Sequence, residues 1–212
     1  TYLIPLRRNR LRKSASNAVS RVDQHQLLQT VAFLQQWSSQ YQFAPVYTLE
    51  DMLGQTKLLP GFCWENFYIY QAHGEICGTL GVWDQQSFKQ TVVTTYSRNM
   101  QLLRPFYNLY ATLTGIPGLP PIESEIKLLY ASFLSGNKSA FEALLNQVRI
   151  DWSGKGYDYL SVGVCADNQL SSIASRHATQ EISSTVYVVY WQDDSITLPE
   201  ADRPVHVEIA TL

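Results

Sequence analysis

Cysteine is scarce in this 212-residue chain, which has three, Cys63, Cys77 and Cys165, far apart in sequence. An odd, scattered set is no disulfide framework, and without a CxxC pair or a Cys/His cluster it offers no zinc site. Cys77 and Cys165, in strand-like runs, read as small buried hydrophobes, and the compartment reads as reducing, which points to the cytoplasm. Long apolar runs are missing too. Nothing approaches the roughly 20 residues that span a bilayer, and the opening TYLIPL is too short for a signal-peptide core and is followed by basic residues rather than preceded by them. No membrane association is expected. Acids are absent before Asp23, whereas Arg7, Arg8, Arg10, Arg12, Lys13 and Arg21 precede it, leaving ten basic against eighteen acidic residues, a net −8, in the body. Residues 1–21 therefore read as a basic arm or linker, suited to an anionic cofactor, to nucleic acid or to the acidic body itself. No aromatic interleaves the arginines, so nucleic acid is not the expected partner. The usual catalytic fingerprints are also lacking, with no G-x-S-x-G elbow, Walker A loop, HExxH or dinucleotide motif.

What is present is a globular composition, 45% hydrophobic with 13 Tyr, 8 Phe and 5 Trp, enough to build one large core. Leu27, Val31, Leu34 and Tyr41 recur at helical spacing, with Ser20 as the cap candidate and Asp23 three residues on as its partner. TLED (48–51) opens a short second helix. Two β-rich runs, Asn66–Ala72 and Ile76–Asp84, flank the turn His73-Gly74-Glu75, and 88–96 reads as a third strand of the same meander. Residues 97–115 are helical in pattern, with Pro105 expected to bend the helix or start a new segment, and GIPGLPPIE is a loop. The pattern then changes. IKLLYASFL (126–134) and YDYLSVGVCA (157–166) are apolar on both faces, as central parallel strands are. A helix with Phe141, Leu144, Leu145 and Val148 lies between them, a second helix covers 169–178, and 184–191 and 204–212 read as further strands. The expected fold class is α/β with a mixed sheet, an antiparallel meander followed by β-α-β-α-β.

That order, with HGEICGTLGVWD as the hairpin and GYDYLSVGVCADNQLSSIA as a strand followed by Asn and a helix, resembles the GNAT acyltransferase superfamily over residues 22–192. LGVWDQQSFKQTVV is similar to a little-described bacterial group of GNAT-like proteins. The resemblance implies a GNAT-like domain at 22–192, with 193–212 packing on it as a closing loop and strand. It implies acetyl-coenzyme A or another acyl-coenzyme A as donor and an amine as acceptor. The family's phosphate turn, strand then R/Q-x-x-G-x-G/A then helix, falls on SFLSGNKSAFEALL. Only Gly136 of its glycines is present, so the coenzyme candidates are Phe133, Leu134, Ser135, Gly136, Asn137, Lys138 and Ser139, with Asn168 matching the family's Asn. Backbone N–H groups at a helix N-terminus suit a pyrophosphate, but Ser139 and Glu142 form an S-x-x-E capping box that satisfies the same groups. The turn is either an anion site or an ordinary capped helix start. Asn168 is likewise either a coenzyme contact or a helix cap.

Transfer needs a base for the amine and an acid for the departing thiolate. The family's Tyr, seven residues past the Asn, is Ser175 here, so the acid falls to His177 beside it, which otherwise reads as structural. Asp84 at a strand end is the candidate base, and Tyr130 in the strand before the turn is a third catalytic candidate. Set against the acyltransferase is a non-catalytic GNAT-like domain kept for ligand binding or assembly. The chain opens with Thr, which reads as one domain of a larger protein, and TYLIPL offers a strand to an adjoining domain or to a second copy in a homodimer.

Overall fold

The computed structural model describes residues 1–6, 16–187, 189 and 202–211. Its elements run in chain order as β1 (Tyr2–Pro5), β2 (Val19–Arg21), α1 (Gln24–Ser38), α2 (Leu49–Met52), β3 (Phe67–Ala72), β4 (Glu75–Asp84), β5 (Thr91–Val92), α3 (Arg98–Thr114), β6 (Glu125–Ile126), β7 (Leu128–Gly136), α4 (Lys138–Trp152), β8 (Tyr159–Val162), α5 (Ser171–His177) and β9 (Gln180–Glu181). Seven strands form one sheet in the order β2-β3-β4-β7-β8-β1-β9. Every neighbouring pair is antiparallel except β7 and β8. The mixed α/β class expected from the sequence is thus present, with the hairpin first and the parallel pair after it.

Each face of the sheet carries its own apolar layer. α4 places Phe141, Leu144, Leu145 and Val148 on one face, against Ile4, Leu80, Val82, Leu129 and Leu160. α1 places Leu27, Val31 and Leu34 on the other, with Phe62, Phe67, Ile69, Trp83 and Phe133. β7 reads as continuously apolar because it is buried on both sides at the centre of the sheet.

Several local expectations change. Tyr2–Pro5 lies inside this sheet, between β8 and β9, so these residues complete the chain's own sheet instead of beginning an arm. Val19–Arg21 pairs with β3. Arg7, Arg8, Arg10, Arg12 and Lys13 lie outside the described residues. α1 is capped by Asp23 with Gln26 returning the bond, while Ser20 belongs to β2. The third strand of the meander does not form over 88–96. Only Thr91–Val92 is extended, and it pairs with β6 in a separate two-stranded ribbon. Residues 182–187 form no strand, and most of 188–191 lies outside the described residues. The closing stretch is no strand either. It makes one bridge, Gln42 to Val205, and ends in a 3-10 turn at Ile209–Thr211. The reason lies in its burial pattern. His206, Glu208 and Ala210 are buried while Val205 is exposed, so the polar side of the alternation faces inward.

Candidate functional site

β7 is paired with β8 only as far as Ala131 opposite Val162. β8 stops there, and β7 continues to Gly136. On that side the last part of β7 has no strand beside it, and its backbone groups need other partners. Such a gap at the carboxyl ends of parallel strands is where open α/β sheets bind ligands.

The opposite edge of β7 carries a bulge. Its register against β4 shifts between Thr79 and Gly81, and Phe133 sits at φ +55°. The extra residue turns the Phe133 N–H toward the gap, where it donates to Glu208 Oε2 at 2.8 Å. The Ala210 N–H donates to Glu208 Oε1 at 3.4 Å. Both donors are backbone groups, and no cation pairs with Glu208 among the described residues. Burial therefore pushes its carboxyl up to about 7, with the two N–H groups pulling the other way. The Phe133 ring is held by Tyr47, Phe62 and Phe67 at centroid distances of 4.8–5.3 Å. The Tyr47 hydroxyl is pushed up by burial and by the nearby Glu208 and Asp51 charges. Ile209 sits against Gly163 just past β8, at a spot where any Cβ would collide with it. The C-terminal segment thus fills the gap between the two strands.

β7 ends at Gly136, whose φ of +103° and close approach exclude a side chain. A Cβ there would lie 2.5 Å from the Cys77 carbonyl oxygen and 2.7 Å from Gly78 Cα. The helix that follows starts two residues earlier than expected. Asn137, not Ser139, is the cap of α4, its Oδ1 accepting the Ala140 N–H at 2.9 Å. Ser139 Oγ donates to the same Oδ1 at 2.8 Å. Glu142, the expected partner in a capping box, faces Arg176 at 3.6 Å. The expected S-x-x-E box is therefore absent, because Asn137 is placed to satisfy the third N–H. The Lys138 and Ser139 N–H groups have no protein acceptor among the described residues. Both residues are exposed. Two free N–H groups, one lysine and a positively polarised helix end can hold an anion such as a phosphate.

The coenzyme candidates divide by depth. Phe133, Leu134 and Ser135 are core residues, and the Ser135 hydroxyl is 2.7 Å from Thr79 Oγ1. Gly136, Asn137, Lys138 and Ser139 form the surface turn. Asn168 follows β8 and so lies at the same end of the parallel pair. Its Oδ1 accepts the Leu170 N–H at 2.8 Å, in the turn ahead of α5.

The catalytic candidates are not brought to that end. Asp84 is opposite Leu129, seven residues from Gly136 along β7 or about 23 Å of strand. There it accepts from the Tyr157 hydroxyl at 2.7 Å and the Gln86 N–H at 3.0 Å. His177 sits at the end of α5, its Nδ1 accepting from Arg149 Nη1 at 2.9 Å, eleven residues or about 17 Å of helix from Lys138. Tyr130 is buried on the face of α1, under the Lys89 ammonium at 4.8 Å. It lies one bulge away from Phe133, and burial raises its hydroxyl above the usual range.

The residue that sequence reasoning missed is Glu208. PVHVEIATL (204–212) reads from the sequence only as a closing strand, and the structure turns His206, Glu208 and Ala210 inward. A groove of about 370 Å³ runs up to this segment, lined by Lys57, Trp83, Gln85, Phe88, Lys89 and Ala210 among others. Gln85 Nε2 ties the segment down by donating to the Ala210 carbonyl at 2.6 Å.

No family model and no curated protein matches the chain. Among solved structures, it is similar to an aminoglycoside acetyltransferase from an uncultured soil metagenomic sample, determined in complex with trehalose. The two share 14% identity with a TM-score of 0.44, over 85% of this chain and 100% of the other. At that level the likeness carries no argument about what this chain does.

Proposed function

We infer that the chain is an acyl-coenzyme A-dependent N-acyltransferase whose donor lies across the carboxyl ends of β7 and β8. The observation that carries this is the gap beside β7 beyond the end of β8, with an anion-competent turn at its rim and the inward-turned Phe133 N–H in its wall. Coenzyme A would supply an activated thioester. Its phosphates fit the free N–H groups of Lys138 and Ser139 and the Lys138 ammonium. The Phe133 N–H suits a carbonyl oxygen that gains negative charge as an amine attacks. Asp84 and His177 stand far from this point. Glu208 stands at this point, but its raised pKa comes from burial against the Phe133 N–H and is lost once a donor carbonyl takes that N–H, so it is not assigned as the base.

Glu208 favours a second reading. Its bond to Phe133, with Ile209 against Gly163, fills the gap from within the chain, as a domain retained for assembly would have it. The readings separate by thermal unfolding with and without millimolar coenzyme A and acetyl-coenzyme A. A site saturated at about 100 times its dissociation constant adds roughly 2.7 kcal/mol, a shift of several degrees. The acyltransferase reading expects that shift, and expects Lys138→Glu to abolish it. No shift with either ligand leaves the non-catalytic reading.

A further inference from the structure

α3 is amphipathic the wrong way round. Its one buried side chain is Ala111. The side facing the rest of the molecule holds polar groups, with Asn108 bonding both the N–H and the carbonyl of Leu119 and Arg104 Nε donating to that same carbonyl. The opposite side, turned to solvent, is apolar. Leu102, Phe106, Leu109 and Leu113 are 75%, 73%, 62% and 70% exposed. Their spacing of four, three and four is the a/d pattern of a coiled-coil seam, and Leu103 and Tyr110 widen it along one edge. A monomer has no use for such a stripe on its outer surface.

We propose that this stripe is a homodimer interface, in which α3 packs antiparallel against α3 of a second copy about a two-fold axis. Two features select that occupant and orientation. The spacing reads the same in both directions, so the reversed helix matches it, Leu102 meeting the partner's Leu113 and Phe106 meeting the partner's Leu109. This is the self-complementarity that a two-fold interface requires. The charge pattern agrees. Arg98 opens the helix, no basic residue lies in its last turn, and no acid lies anywhere in it. Antiparallel packing sets each Arg98 beside the negative end of the other helix, whereas parallel packing would set like arginines side by side. A 17-residue helix is about 25 Å long, so the pair buries less than the roughly 800 Å² per partner of a standard interface. The dimer is accordingly concentration-dependent. It is independent of what the cleft binds.

The test is sedimentation equilibrium of the full chain up to hundreds of micromolar, for the wild type, Phe106→Glu, Leu109→Lys and the double variant. These side chains are exposed, so folding is unaffected, as circular dichroism would check. The wild type is expected to dimerise, each single variant to be monomeric, and the double variant to recover the dimer, because the introduced carboxylate of one copy then faces the introduced ammonium of the other. A wild-type monomer at every concentration overturns the proposal, including one that instead floats with phosphatidylcholine vesicles. So does a dimer indifferent to Phe106→Glu. A double variant that stays monomeric overturns the antiparallel register.

Discussion

The C-terminal segment buries two titratable side chains two residues apart, and their effects on stability are of opposite sign. Glu208 has its carboxyl raised from 4.5 to about 7 by burial. Between those values the folded state holds a proton that the unfolded state has lost, so stability falls as pH rises through the window. At about 1.4 kcal/mol per unit this comes to roughly 3 kcal/mol. His206 is lowered from 6.5 to about 4, also by burial. Its ring stands edge-on to Trp37 at 4.9 Å and near Tyr41 at 5.8 Å. Here the unfolded state holds the extra proton, so stability rises with pH through that window, again by roughly 3 kcal/mol. From 4.5 to 6.5 the two slopes cancel, and the wild type should show little pH dependence from this segment.

Removing either group should uncover the other. Glu208→Gln keeps an acceptor for the Phe133 N–H and leaves His206, so stability should climb by roughly 3 kcal/mol from pH 4 to 6.5. His206→Phe keeps a ring against Trp37 and leaves Glu208, so stability should drop by a similar amount from pH 4.5 to 7. For a chain of this size that is a change of about 6–12 °C in Tm. The double variant should be flat again. Urea unfolding followed by tryptophan fluorescence, in one mixed buffer across pH, would measure all four proteins. If both single variants run parallel to the wild type, the segment does not bury these groups in solution, and the cleft is not filled from within the chain.

Three further outcomes are expected. Gly136→Ala forces a Cβ against the Cys77 carbonyl at positive φ and should cost about 3 kcal/mol in urea unfolding, with unchanged stability refuting the close approach of β7 and β4. Tyr68→Phe removes the hydroxyl that donates to Asp151 Oδ2 at 2.9 Å and accepts from Trp152 Nε1 at 3.2 Å, which should cost about 1–3 kcal/mol. A neutral Tyr68→Phe would show that the indole N–H finds water instead. Under saturating acetyl-coenzyme A, amide exchange over 204–211 should quicken while exchange in β7 slows. Uniform slowing in both would place the ligand away from the Phe133 N–H.

Where local chemistry determined local structure, the sequence was legible. The apolar spacing marked α1 as a helix, TLED opens α2, and both faces of β7 are apolar because both are covered, whereas the cap of α1 is Asp23 with Gln26 and not Ser20. The start of α4 was misplaced because Asn137 and Ser139 are each competent caps, and it is the Asn137 side chain that accepts the Ala140 N–H. The 88–96 stretch has a strand composition, but the chain turns at Gln85 and leaves the sheet. The Phe88 and Lys89 N–H groups both bond the Gln85 carbonyl. α3 was recognised as a helix from its periodicity, yet nothing in the periodicity says which way the stripe faces.

The two chain ends were the least legible, for one shared reason. β1 is paired with residues 154 to 179 positions away, and Glu208 with one 75 away. No local pattern encodes such partners. A composition rule sends valine and isoleucine inward, but the segment 205–209 is positioned by a hydrogen-bond demand instead. β7 outruns β8, the bulge turns the Phe133 N–H into the gap, and a buried N–H must be given an acceptor. Water is excluded there by Tyr47, Phe62 and Phe67, so a carboxylate comes inward while Val205 stays exposed. The donor can be satisfied by Glu208 or by a carbonyl-bearing ligand, and one N–H does not serve both well. On the acyltransferase reading proposed above, occupation of the cleft and release of the C-terminal turn would be one equilibrium, with the Phe133 N–H as the group for which the two compete.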